Sequence, residues 1–165
     1  YGLSSVKKFL EGILSIKEDI QMVAIAGKNT KTKKMFKEVT SKYNKKVVIL
    51  GYTTKVPELM QIADFIISKP GGLTTTEVLV SNVPFVVINP VPGQEEGNAN
   101  FLLNSGAAVR IFDADKTKPF FEELINNEPR IKGMKEMQKL IAKPYSTKAI
   151  CEVIMGKPKR KESLV

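Results

Sequence analysis

The chain reads as a doubly wound α/β fold built on a mostly parallel sheet, and three observations lead there. Short apolar runs alternate with amphipathic helical stretches, the runs are near-continuous instead of alternating, and they stop at glycine- or proline-bearing loops. A strand buried on both faces has no polar face to present, so continuous apolar runs between helices indicate a parallel sheet covered on both sides. Ligands in such sheets sit outside the carboxyl ends of the strands.

Taken in order, Val6, Phe9, Leu10, Ile13, Leu14 and Ile16 fall on one face of a first helix. That helix starts at Tyr1-Gly2-Leu3, an abrupt opening that suggests a cut. Gln21 to Ala26 is a strand stopped by Gly27, and Thr30 to Tyr43 is a Lys-rich helix with Met35, Phe36 and Val39 inward. Lys46 to Leu50 is the next strand, ended by Gly51, and Val56 to Ala63 a short helix with Pro57 tolerated in its first turn.

Phe65 to Ile67 then enters Pro70-Gly71-Gly72, with a helix expected from about Thr74 to Ser81. Phe85 to Ile88 is a very apolar strand, Asn89 to Gly93 a two-proline loop, Glu95 to Asn104 a helix and Ala107 to Ile111 a last strand. Thr117–Asn127, Ile131–Ala142 and Thr147–Met155 are helical in pattern. The Ala-Ile-Cys-Glu-Val-Ile stretch gives Cys151 a packing role in a buried stripe. Residues 1–155 are expected to form one domain, with residues 156–165 a basic mobile tail.

Composition narrows the function. At 165 residues and 42% hydrophobic content the chain can bury one good core. A net charge of +9 and a pI near 9.6 favour an acidic partner, whether a nucleotide, an anionic membrane surface or nucleic acid. With no histidine and one cysteine, His-based metal sites, triads, Cys clusters and internal disulfides are absent. No apolar run approaches the ~18 residues needed to cross a bilayer, and no signal-peptide pattern opens the chain. The expectation is a cytoplasmic protein, peripheral to the membrane at most.

The chemistry centres on Ser68 to Asn104. A Gly turn between a buried strand and a helix is an anion site in form: first-turn amides have no intrahelical partner, and the helix dipole favours negative charge. Lys69, Gly71, Gly72, Leu73 and Thr74 line that turn; Lys69 either neutralises a diphosphate or is simply solvated. Two readings stand for Glu77: a capping box with Thr74, or a carboxylate for two vicinal ribose hydroxyls. In Pro90-Val91-Pro92-Gly93-Gln94-Glu95-Glu96, Gln94, Glu95 and Asn98 either crowd a helix start as dipole partners or offer donors and acceptors to sugar hydroxyls. Gly51, Tyr52 and Thr53 follow a strand, with Tyr52 either half-buried in a loop or packing on a base. Glu95 and Glu96 are helix neighbours pointing apart and make a poor catalytic dyad. The aromatic interleaving that single-stranded RNA calls for is sparse, so nucleic acid is not an expected partner.

These blocks together resemble the C-terminal, donor-binding half of a GT-B glycosyltransferase of the processive diacylglycerol glucosyltransferase and monogalactosyldiacylglycerol synthase family. The matching pieces are Gly51-Tyr52, Ser68-Lys69-Pro70-Gly71-Gly72-Leu73-Thr74 with Glu77, Val83-Pro84, Pro90-Val91-Pro92-Gly93-Gln94-Glu95 with Asn98-Ala99-Asn100, and Gly106-Ala107-Ala108. The resemblance implies a UDP-sugar donor and no separate cofactor. It puts uracil near Gly51 to Thr53, the diphosphate on Gly71 to Thr74, the ribose on Glu77, and the sugar on Gln94 and Glu95. It further implies inverting, metal-independent transfer to a lipid acceptor, with base and acceptor site in a preceding half. The peptidoglycan N-acetylglucosaminyltransferase, a UDP-sugar epimerase and a noncatalytic anion or RNA module are the alternatives.

One departure matters. Family members begin this half with a central strand that this sequence lacks. Either a partner segment fills that slot or the sheet rearranges around its absence; an unfilled slot leaves unpaired backbone groups costing about 1–3 kcal/mol each, so an occupant or self-association is expected.

Overall fold

The computed structural model describes residues 3–156, and the expected tail lies outside the described residues apart from Gly156. The order is α1 (Leu3–Leu14), β1 (Gln21–Ile25), α2 (Thr30–Thr40), β2 (Lys46–Leu50), α3 (Val56–Gln61), β3 (Ile66–Ser68), α4 (Gly72–Ser81), β4 (Phe85–Ile88), α5 (Gln94–Asn104) and β5 (Val109–Ile111). A 3₁₀ turn (Ala114–Lys116) then leads into α6 (Thr117–Ile125), α7 (Glu128–Ile141) and α8 (Ser146–Ile154).

All pairing among the described strands is parallel, but the sheet is in two pieces. β1 pairs with β2 from Gln21↔Lys46 to Ile25↔Leu50. Separately, β4 sits between β3 and β5, with Ile66↔Phe85 and Val86↔Val109 opening the two registers. No ladder joins β1 to β3. α1 spans the break: Phe9 and Ile13, with Ile16 just past its end, pack with Val86, Val109 and Ile111, while Leu10 and Leu14 pack with Ala24, Ala26, Phe36 and Val39. At 3.6 residues per turn, two adjacent apolar stripes of one helix can serve two cores.

Three expectations are corrected. The β1–β2 ladder is covered on one face only: Val23 and Val48, partners in register, are both exposed, because α1 and α2 pack on the opposite side. Cys151 is exposed and α8 buries no residue. Its apolar stripe is real, but periodicity shows that a face exists and not that anything covers it. Tyr52 is 68% exposed, not half-buried.

Helix boundaries shift for local reasons. α7 starts three residues early because Asn127 caps it, accepting from Arg130 N–H at 3.1 Å, and Pro129 is tolerated in the first turn. α4 starts at Gly72 with Gly71 as its N-cap and no side-chain cap. Thr74 is therefore already helical, and the Thr74–Glu77 capping box is not formed.

Candidate functional site

The site is assembled from the loops at the carboxyl ends of the parallel strands. α1 begins beside the end of β4, where Ser5 and Asn89 exchange hydrogen bonds of 2.9 and 3.1 Å, and its far end leads into β1. β1 therefore runs in the same sense as β4, and the loops after β1 and β2 share an edge with those after β3 and β4.

After β3, Lys69 is half-buried and Pro70 buried, and the chain turns directly into α4. The first helical bond runs from Thr75 N–H to Gly71 O at 2.8 Å, which leaves the amides of Gly72, Leu73 and Thr74 without intrahelical acceptors. Leu73 and Gly72 are exposed, so this helix N-terminus, with its unpaired amides, is open to solvent. The buried Thr75 hydroxyl has no partner. Glu77 is exposed on α4, between one and two turns from its start.

After β4, the two-proline loop is fastened internally: Glu95 Oε2 accepts from Val91 N–H at 2.8 Å. Gly93 at φ 102°, ψ −125° is the N-cap of α5, a conformation that essentially only glycine adopts. That turn swings α5 towards α4. Asn98 Nδ2 donates to Pro70 O at 2.8 Å, and Gln94 Nε2 lies 3.4 Å from where a Cβ on Gly72 would sit. The Gly turn and the Pro-Gly-Gln-Glu corner are thus one continuous wall.

Gly51, Tyr52 and Thr53 occupy the loop after β2; Thr53 Oγ1 accepts from Lys55 N–H at 3.1 Å. Three groups were not legible as site residues. Arg110 in β5 pairs with Glu96 of α5 at 2.5 Å and lies over the Phe112 ring at 4.6 Å. A charge inside a three-residue apolar strand was the available signal. Lys28 and Lys33, from the loop after β1 and from α2, reach Tyr52 and Gly51 respectively, a convergence no local pattern carries. Among the described residues, no group of three or more His, Cys, Asp or Glu side chains is placed to hold a metal ion.

Residues 3–149 match the model of the glycosyltransferase family 28 C-terminal domain. The chain belongs to this family. A processive diacylglycerol beta-glucosyltransferase of Bacillus licheniformis is 35% identical over 162 residues, covering 94% of this chain and 42% of that protein. The Bacillus subtilis protein of the same name is 34% identical over 154 residues, covering 93% of this chain and 40% of its own. The chain thus spans about two-fifths of the curated relatives it matches. In fold, this family 28 domain superposes on MurG of Acinetobacter baumannii with a TM-score of 0.77 at 19% identity, over 93% of this chain and 46% of MurG.

Proposed function

We propose that the chain is the UDP-hexose-binding domain of a glycosyltransferase that delivers a hexose to diacylglycerol. The observation that carries the reading is the joined wall: Asn98 on Pro70 and Gln94 against Gly72 put a helix N-terminus suited to a diphosphate beside an amide- and carboxylate-rich corner suited to sugar hydroxyls. In this reading the amides of Gly72, Leu73 and Thr74, with Gly71 as N-cap and Lys69 alongside, hold the diphosphate. Glu77 accepts from the ribose diol, and Gly51, Tyr52 and Thr53 take the uracil. Gln94, Glu95 and Asn98 fix the hexose.

Transfer runs with inversion and without a metal. Charge develops on the leaving UDP as the glycosidic bond to phosphate breaks. The α4 amides are aimed there in advance, so they stabilise that charge without reorganising. The proton acceptor and the lipid site belong to a preceding half, so this chain alone binds donor and transfers little. The 35% sequence identity with a relative named a processive diacylglycerol beta-glucosyltransferase supports the lipid acceptor. The +9 charge supports a peripheral position on an anionic, cytoplasmic leaflet, each Lys or Arg near the surface contributing about 1 kcal/mol. Vesicle pelleting that ignores both salt and anionic lipid content removes the membrane part.

Titration calorimetry of UDP and UDP-glucose against the chain and Glu77→Ala tests the site. Loss of the two charge-assisted hydrogen bonds to the ribose diol predicts about a hundredfold weaker UDP complex for Glu77→Ala. Equal affinities refute the ribose assignment. Binding that collapses with salt and shows no preference for UDP over other nucleotides replaces the whole reading with a nonspecific anion module.

A further inference from the structure

We infer that α2 and its flanks, residues 28–46, are the surface on which this chain meets an anionic bilayer. This rests on the peripheral-membrane part of the proposed function, gives it a location, and is independent of UDP binding.

The charge of the chain is concentrated in one place. Residues 28–46 hold eight lysines and one acid, Glu38, a net +7 out of the chain's +9. Everything else among the described residues 3–156 has fourteen basic and fifteen acidic side chains and nets −1. One flank of the described domain is thus strongly positive and the remainder close to neutral.

The fold turns that charge outward. Phe36 and Val39 are buried and pack with Leu10 and Leu14 of α1, and Lys31, Lys34 and Lys37 are exposed on the other face of the helix. Three residues apart, these lysines are neighbours on the helix surface. Lys28 and Lys42 are exposed just before and just after α2, and Lys46 is exposed at the start of β2. Apart from Lys34, which lies 3.9 Å from Glu38, none of these six forms an ion pair among the described residues. At a rise of 1.5 Å per residue, the 11 residues of α2 present a basic strip about 16 Å long.

Such a strip fits a flat array of anionic headgroups. No large hydrophobic side chain of residues 28–46 is exposed, so there is nothing here to insert among acyl chains. The two aromatic residues, Phe36 and Tyr43, are buried and half-buried, which leaves no ring in the strip on which a nucleic-acid base could stack. The proposed acceptor is moreover itself a bilayer lipid. Attraction to an anionic leaflet falls off within a Debye length, about 10 Å at 0.1 M salt, so lysines gathered on one helix act together while those elsewhere on the molecule add little.

The test is sedimentation of the chain with vesicles of phosphatidylcholine, with and without phosphatidylglycerol, in low and high salt. The parent should pellet only with the anionic vesicles and be released by salt. The triple variant Lys31→Gln, Lys34→Gln, Lys37→Gln should bind about a hundredfold more weakly, at about fivefold per lysine. Glutamine is close to lysine in helix propensity, and thermal melts confirm folding. Removing the same charge from α7, with Lys132→Gln, Lys135→Gln and Lys139→Gln, all exposed, should cost less than about threefold. So should Lys157→Gln, Lys159→Gln and Lys161→Gln, beyond the described residues. Equal losses in the α2 and α7 variants mean diffuse net charge, and a larger loss in the last variant moves the surface to the end of the chain; either overturns the inference and leaves the membrane reading standing. A parent chain indifferent to anionic lipid overturns both. Binding to homopolymer RNA that is tighter than to the vesicles and lost in the α2 variant assigns the strip to nucleic acid instead.

Discussion

The side-chain amide of Asn98 donates to the main-chain carbonyl of Pro70 at 2.8 Å, tying α5 to the turn before α4. The residues are 28 apart in sequence, and the bond sets the spacing between the Gly71-Gly72 turn and the Pro-Gly-Gln-Glu corner. Asn98→Ala should therefore weaken UDP-glucose about three- to tenfold, the range for one lost hydrogen bond plus looser positioning, and weaken UDP less. Calorimetry with both ligands reads the difference. Identical losses for the two would mean that the bond only stabilises the fold.

Gln138 makes the clearest structural commitment in the chain. It is fully buried, and its Nε2 donates to Val83 O and to Ala107 O, each at 2.9 Å, pinning α7 to the loops before β4 and β5. Gln138→Leu keeps most of the volume but leaves two buried carbonyls without this donor, at a cost of about 2–4 kcal/mol. Urea denaturation measures it. A loss under about 1 kcal/mol would show that water or a relaxed backbone satisfies those carbonyls.

At Gly12 two effects oppose each other. A Cβ there would stand 2.5 Å from Thr117 Cβ and 3.0 Å from its Cγ2, where α1 crosses the start of α6. Alanine improves helix propensity by up to about 1 kcal/mol, whereas overpacking costs about 1–3. Thr117 is buried and its hydroxyl is held by Ala114 O at 2.7 Å, so it cannot swing away. Gly12→Ala should lower stability by about 1–2 kcal/mol in the same denaturation assay; a more stable variant would mean that α1 slides to make room.

Cys151 lies exposed on α8. A buried thiol reacts only after unfolding, whereas an exposed one reacts at the rate of its thiolate fraction. Ellman's reagent should label the native chain fully without denaturant. Labelling that waits for denaturant would show that the apolar face of α8 is covered in solution.

The sequence by itself determined the alternation of strand and helix, the parallel sheet, the Gly71-Gly72 turn at a helix start and the order of the site blocks, because each is written in residues a few positions apart. Periods of 2 and 3.6 and the conformational habits of glycine and proline act locally. Only the tertiary structure decided that Val23 and Val48 face outward, that α8 lies bare, that Thr74 is too deep in α4 to cap it, and that Lys33 reaches Gly51. Each depends on which faces meet after the chain closes, and an amphipathic pattern is the same whether or not a neighbour arrives to cover it.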